Sequence, residues 1–158
     1  MTIQRVLGSL LVAVVAASFC SECAFAQTNS SDKWEKEIAD FEDRDKTDPP
    51  PQHALLFVGS SSIRGWDLHE SFPDRMTINR GFGGSEIADS IRYANRIIFP
   101  YKPRVIVVYA GDNDINNGKD AKTVFKDYQT LTRKIHAKLP KARIVFVAIK
   151  PSIKRWRL

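Results

Sequence analysis

The run Val105-Ile106-Val107-Val108-Tyr109 has no polar residue on either of its alternating faces. A strand of that kind must be covered on both sides, which points to the interior of a parallel sheet rather than to a half-solvated hairpin. Two further short apolar runs, Ala54 to Val58 and Ile144 to Ile149, read the same way, and Met76 to Asn79 reads as a shorter strand. Between them lie segments of helical period. Ser85 to about Phe99 carries Ile87, Ile91, Ala94 and Ile98 on one face. A helix capped by Asp120 and running to about Leu139 carries Val124, Tyr128, Leu131, Ile135 and Leu139. Buried strands alternating with amphipathic helices predict an α/β fold, with a parallel sheet between two helical layers.

With 158 residues, 43% of them hydrophobic, the chain is the size of one domain. Its ends need separate treatment. Arg5, the apolar stretch Val6 to Phe19 and Ala24-Phe25-Ala26 have the layout of a cleavable secretory signal, so residues 1–26 are expected to be removed on export to the periplasm or exterior. The stretch is short for a membrane span, which takes ~20 residues. An uncleaved anchor is the alternative; a lipoprotein site at Cys20 or Cys23 would have Phe19 or Glu22 where a small residue is wanted. Residues 27–51 are then expected to form an addition packed on the domain by Trp34 and Phe41, or alternatively a mobile linker. Asp32 can cap a helix with Trp34, Ile38 and Phe41 at helical spacing, and Asp48-Pro49-Pro50-Pro51 ends it as a stiff connector. The main domain is expected over 52–158.

Composition narrows the chemistry. Both cysteines fall within residues 1–26, so the exported chain has neither a disulfide nor a thiolate nucleophile or metal ligand. His53, His69 and His136 show no spacing suited to zinc, and no metal or cofactor is expected. The net charge of +6 is uneven: nine Lys or Arg and no Asp or Glu lie between Tyr128 and Leu158. Such a segment can bind phosphate backbones nonspecifically. No motif of a nucleic-acid-binding module accompanies it, so a solvated helix face is the preferred reading and no nucleic-acid partner is expected.

Each chemically interesting block follows a strand, at the carboxyl edge where α/β sheets build their sites. Ser61, in Gly59-Ser60-Ser61-Ser62, would sit at a strand-to-helix turn, near N–H groups that favour negative charge. Ser-rich turns are also common helix caps. Gly81-Phe82-Gly83-Gly84 lets backbone N–H groups approach a ligand without an intervening Cβ, or is simply a tight turn. Asn113, in Gly111-Asp112-Asn113-Asp114, can donate an amide N–H to an oxyanion, or can form an Asx turn.

Taken together, Phe57 to Trp66, Asn79 to Gly84 and Gly111 to Asp114 resemble, in order and spacing, the first three blocks of the SGNH hydrolases, also called GDSL esterases/lipases. The likeness is to an exported bacterial branch in which Ser60 replaces the usual Asp beside the nucleophile. It implies a flavodoxin-like three-layer α/β/α fold, a carboxylic-ester substrate such as an acetylated sugar or short-chain lipid, and no cofactor. It also implies roles: Ser61 as nucleophile forming an acyl-enzyme, with Gly84, Asn113 and the Ser61 N–H as the oxyanion hole.

The family's Asp-x-x-His block, which would activate Ser61, has no counterpart, because no Asp or Glu follows Asp127. The expectation is therefore a chain truncated before that block, lacking a C-terminal strand and helix and impaired in turnover. His53 and His136 lie at the wrong places for Ser61, and His69, near it in sequence, is the one candidate substitute base. A noncatalytic pseudoenzyme or fragment binding acylated or anionic ligands is the alternative.

Overall fold

The computed structural model describes residues 33–151. The expected signal segment, the Asp32 cap and residues 152–158 lie outside them. Four strands, β1 (Leu55–Gly59), β2 (Thr77–Gly81), β3 (Val105–Tyr109) and β4 (Arg143–Phe146), form one parallel sheet in the order β2-β1-β3-β4. The chain leaves β1 in one direction to make β2 and crosses back to make β3. That reversal places the topological switch point of the sheet between β1 and β3.

The alternation of side chains along these strands sorts the core into two layers. Leu56 and Val58 of β1, Ile78 of β2 and Ile106 and Val108 of β3 face a large core. It is closed by α1 (Glu35–Thr47), α4 (Ile87–Ile97) and α6 (Ala121–Lys138). Phe57 and Tyr109 face the opposite way and pack with Ile63 and Leu68, on the single-turn helices α2 (Ser61–Arg64) and α3 (Leu68–Ser71). The result is the three-layer α/β/α architecture, with the flavodoxin-like strand order.

Local expectations hold with instructive shifts. β3 has the expected ends, and Asp120 caps α6 by accepting from Thr123 N–H at 2.7 Å. α4 starts at Ile87 rather than Ser85, because Glu86 and Asp89 form a capping box that leaves Ser85 in the preceding loop. β4 stops at Phe146, short of Ile149. Among the described residues it has a partner on one side only, its last bond to β3 runs from Val147 N–H to the Val108 carbonyl, and Val145 and Phe146 are exposed. Part of the basic C-terminal segment does more than face solvent: Lys134 Nζ donates to the Ile91 carbonyl and Lys138 Nζ to Asn95, tying α6 to α4.

Helix α1 is packed against the rest of the described chain. Trp34, Ile38 and Phe41 are buried, and the buried Arg80 of β2 donates to Asn79 O (2.8 Å), to the Tyr101 hydroxyl (2.8 Å) and to the Asp45 carboxylate. Tyr101, in the short 3-10 turn Phe99–Tyr101, donates to Asp45 at 2.6 Å. Burial, helped by that bond, pushes its hydroxyl up to about 12. Further along, Arg96 of α4 grips Glu42 through two bonds of 2.7 and 2.6 Å and reaches Glu35 at 2.6 Å.

The Arg96 hydrogen bonds hold the Glu42 carboxyl below the usual glutamate range, outweighing burial. A carboxylate with a depressed folded pKa contributes stability that is complete above its unfolded value and is lost as pH falls through the folded one. Glu42→Gln is therefore expected to be less stable than the parent at pH 6. The difference should shrink once pH drops below about 4, the ordinary glutamate value. Urea midpoints of both chains at pH 6 and pH 3 check this, and a gap of the same size at both would contradict it.

Candidate active site

The site is assembled at the carboxyl ends of β1 and β3 from three loops, each held by backbone geometry. Gly59 closes β1 at φ +147°, with no room for a Cβ against the Tyr109 carbonyl of the neighbouring strand. Ser60 follows as the buried N-cap of α2, its N–H on Tyr109 O at 3.2 Å. Ser61 is then the first residue of α2 and is exposed. α2 is a single turn, too short to contribute much of a macrodipole, so the electrostatic argument rests on its unbonded N–H groups. Among the described residues, neither the Ser61 N–H nor the Ser61 hydroxyl has a hydrogen-bond partner.

The second loop, Phe82 to Ser85, leaves β2 and is drawn against the first. Phe82 N–H donates to the Gly59 carbonyl at 3.0 Å, and the buried Ser85 hydroxyl bonds Phe82 O at 2.9 Å and Gly59 O at 3.3 Å. Gly84 is exposed in the left-handed region (φ +76°), and its N–H has no acceptor among the described residues.

The third loop enters α5 (Asp112–Asn116) through Gly111 at φ +109°. Asn113 donates one amide hydrogen to the Ser85 carbonyl at 2.9 Å, which fixes the side chain and leaves its second hydrogen available. Asp114 is fully buried and accepts from Ile87 N–H, at the start of α4, and from Lys119 Nζ at 2.9 Å. Lys119 also bonds Glu86 and Asp127. Burial pulls Lys119 down, but these three carboxylates outweigh it and hold its ammonium well above the ordinary range. Burial pushes Asp114 up, and Lys119 offsets that only in part.

Hydrogen bonds thus lace the loops of Ser61, Gly84 and Asn113 to one another. They present an exposed hydroxyl, two free backbone N–H groups and an amide hydrogen. Such a set can support nucleophilic attack by the hydroxyl with donors for a developing oxyanion. Two positioning residues went unread in the sequence. Ser85 supplies the carbonyl that orients Asn113. Asn79, mid-strand on β2, bonds the Ile63 carbonyl at 2.6 Å and the Trp66 carbonyl at 3.4 Å, and so holds the end of α2.

The histidines lie elsewhere. His53, before β1, bonds the Lys102 carbonyl, and His136, on α6, bonds the Ala142 carbonyl. His69 is exposed in the last turn of α3. None is hydrogen-bonded to Ser61. Among the described residues no cluster of His, Cys, Asp or Glu could hold a metal, and no helix is long and apolar enough to cross a membrane. A cleft of about 930 Å³ opens between α1, the Pro49–Pro51 connector and the edge of β2; Ser61, Gly84 and Asn113 do not line it.

Comparison with known proteins supports the same architecture. The profile of the GDSL-like lipase/acylhydrolase family matches residues 27–157. A search of curated proteins finds no match. Among solved structures, a Streptococcus pneumonia protein assigned as a platelet activating factor is similar at a TM-score of 0.67 and 18% identity, over 75% of this chain and 56% of that one. A GDSL-like lipase from Bacteroides thetaiotaomicron gives 0.60 and 18%, over 78% of this chain and 60% of the other. The psychrotrophic esterase EstA from Pseudoalteromonas sp. gives 0.52 and 18%, over 67% of each. The chain thus spans 56 to 60% of the length of the first two. At these identities the likeness establishes the fold.

Proposed function

Because this chain belongs to the GDSL-like lipase/acylhydrolase family, we propose that it is an exported serine ester hydrolase. In this reading Ser61 attacks the carbonyl of a carboxylic ester such as a sugar acetate or short-chain lipid. The alcohol leaves, and water releases the acid from an acyl-Ser61 intermediate. Gly84 N–H, Ser61 N–H and the free Asn113 amide hydrogen receive the oxyanion. The observation that carries the reading is the Asn113–Ser85 bond. It ties the Asn113 amide to the loop of Gly84, whose N–H has no partner among the described residues.

Ser61 has no histidine bonded to it among the described residues, so proton removal is the slow part of the proposed reaction. Unaided turnover of p-nitrophenyl acetate is expected to be low. Added imidazole should raise it above the background of imidazole with the Ser61→Ala variant, by ~10-fold or more, in line with the range for general-base assistance. Rates equal in the parent and Ser61→Ala at every imidazole concentration would defeat the nucleophile assignment. They would favour a noncatalytic binder of acylated ligands. A loss in His69→Ala as large as in Ser61→Ala would assign the base to His69.

A further inference from the structure

We infer that helix α1 is a working part of the ester site: Trp34, together with the Glu37–Arg64 pair, holds the loop that carries the Gly84 donor. The inference rests on the ester-hydrolase reading and adds positioning residues, two of which, Trp34 and Glu37, lie outside every motif block.

The loop Phe82 to Ser85 has two glycines at its centre and only its two end side chains to fix it. Support has to come from outside, and α1 supplies it on two sides. Trp34, 7% exposed, packs edge-on against Phe82 with ring centres 5.7 Å apart. Its ring carbon Cη2 lies 3.5 Å from where a Cβ of Gly84 would stand, an ordinary packing distance that closes one flank of the donor residue. On the other flank the Arg64 guanidinium lies over Gly83, so close that it would have to move aside to admit a Cβ there. Arg64 is on α2, three residues from Ser61, and its Nη1 is 3.6 Å from Glu37 Oε1 of α1.

The two supports differ in weight. An ion pair of that length with a half-exposed arginine contributes little by charge alone. Its use is to keep the guanidinium plane against the glycine backbone. Trp34 is the stronger element, since it is buried on both Phe82 and Gly84. A donor that drifts loses transition-state stabilisation with little effect on substrate binding, because the oxyanion exists only in the transition state.

The test uses the full chain, with Ser61-dependent hydrolysis of p-nitrophenyl acetate in imidazole and amide exchange over residues 82–86 as two separate readouts. Trp34→Ala is expected to lower kcat about 10-fold or more with KM within about twofold, since misplacement by a fraction of an ångström already costs this much. Exchange over 82–86 should quicken while β1 and β3 keep their protection. Trp34→Phe should recover most of both effects and keeps the comparison available if the alanine variant fails to fold. Lys36→Ala, on the exposed side of α1, should leave both unchanged. Unaltered exchange over 82–86 in Trp34→Ala, or a loss that appears in KM rather than kcat, overturns the inference. A parent chain with no Ser61-dependent turnover defeats the ester reading instead, and exchange alone then decides whether α1 holds the loop.

Discussion

Alanine at Gly59 is expected to destabilise the protein by about 3–5 kcal/mol, at the upper end of what single substitutions do. Gly59 is the last residue of β1, in register with Gly81 on one side and Tyr109 on the other. At φ +147° a side chain is already strained, and the added methyl would coincide with the Tyr109 carbonyl oxygen, a backbone atom that cannot swing away. Relief requires β1 and β3 to part at the end that carries Ser61. Two other glycines calibrate the effect. Gly118 has a positive φ of 90° but open space around it, so Gly118→Ala should cost about 1 kcal/mol, the left-handed penalty alone. Gly65 has neither problem, and Gly65→Ala should be near neutral. Chemical denaturation of the three variants checks the ordering. A Gly59→Ala chain as stable as Gly118→Ala would show that the strand contact does not govern this position.

Loss of the Asn113 amide is expected to have the larger catalytic effect. Asn113→Ala should lower Ser61-dependent kcat by about 10²–10³-fold, the usual consequence of deleting one oxyanion donor, with KM changed far less. Part of the loss comes from the same group's second task, since without the amide the Ser85 carbonyl has no side-chain donor and the Gly84 loop loses its tie to α5. Asn113→Asp separates shape from hydrogen bonding. The carboxylate is the same size but cannot donate, and it would face the Ser85 carbonyl with like polarity. It should therefore be no better than alanine. Initial rates across substrate concentration, with Ser61→Ala as baseline, provide the measurement. An Asp variant with parental kcat would remove Asn113 from the oxyanion hole.

The parts of this fold that were legible in the sequence are those fixed by local pattern. β3 could be read residue by residue because all five of its positions are apolar, and α6 because Asp120 announces its start and its stripe is regular. Of the single-turn helices, α2 was marked only by the strand-to-helix turn expected at Ser61 and α3 not at all, since four residues carry no period. α2 is held by Asn79, a residue 16 positions from Ile63 whose role depends on β2 lying beside it. β2 itself extends to Gly81, past the expected Asn79. Arginines are mostly exposed, yet Arg80 is buried because Asp45 and Tyr101, 35 and 21 positions away, satisfy its guanidinium. The site followed the same division. Ser61, Gly84 and Asn113 were picked out by residue type and by their places after strands, whereas the carbonyl of Ser85 that orients Asn113 belongs to no motif.

The central position of β1 has a consequence for how the chain is made. Its partner β3 is encoded about fifty residues downstream. At synthesis rates of about 5–20 residues per second, Leu55 to Val58 waits several seconds after translation with only β2 available to pair. A strand that ends up paired on both sides is thus, for that interval, an exposed adhesive segment of the nascent chain. The interval before residue 109 emerges is when it most needs either a chaperone or dilution.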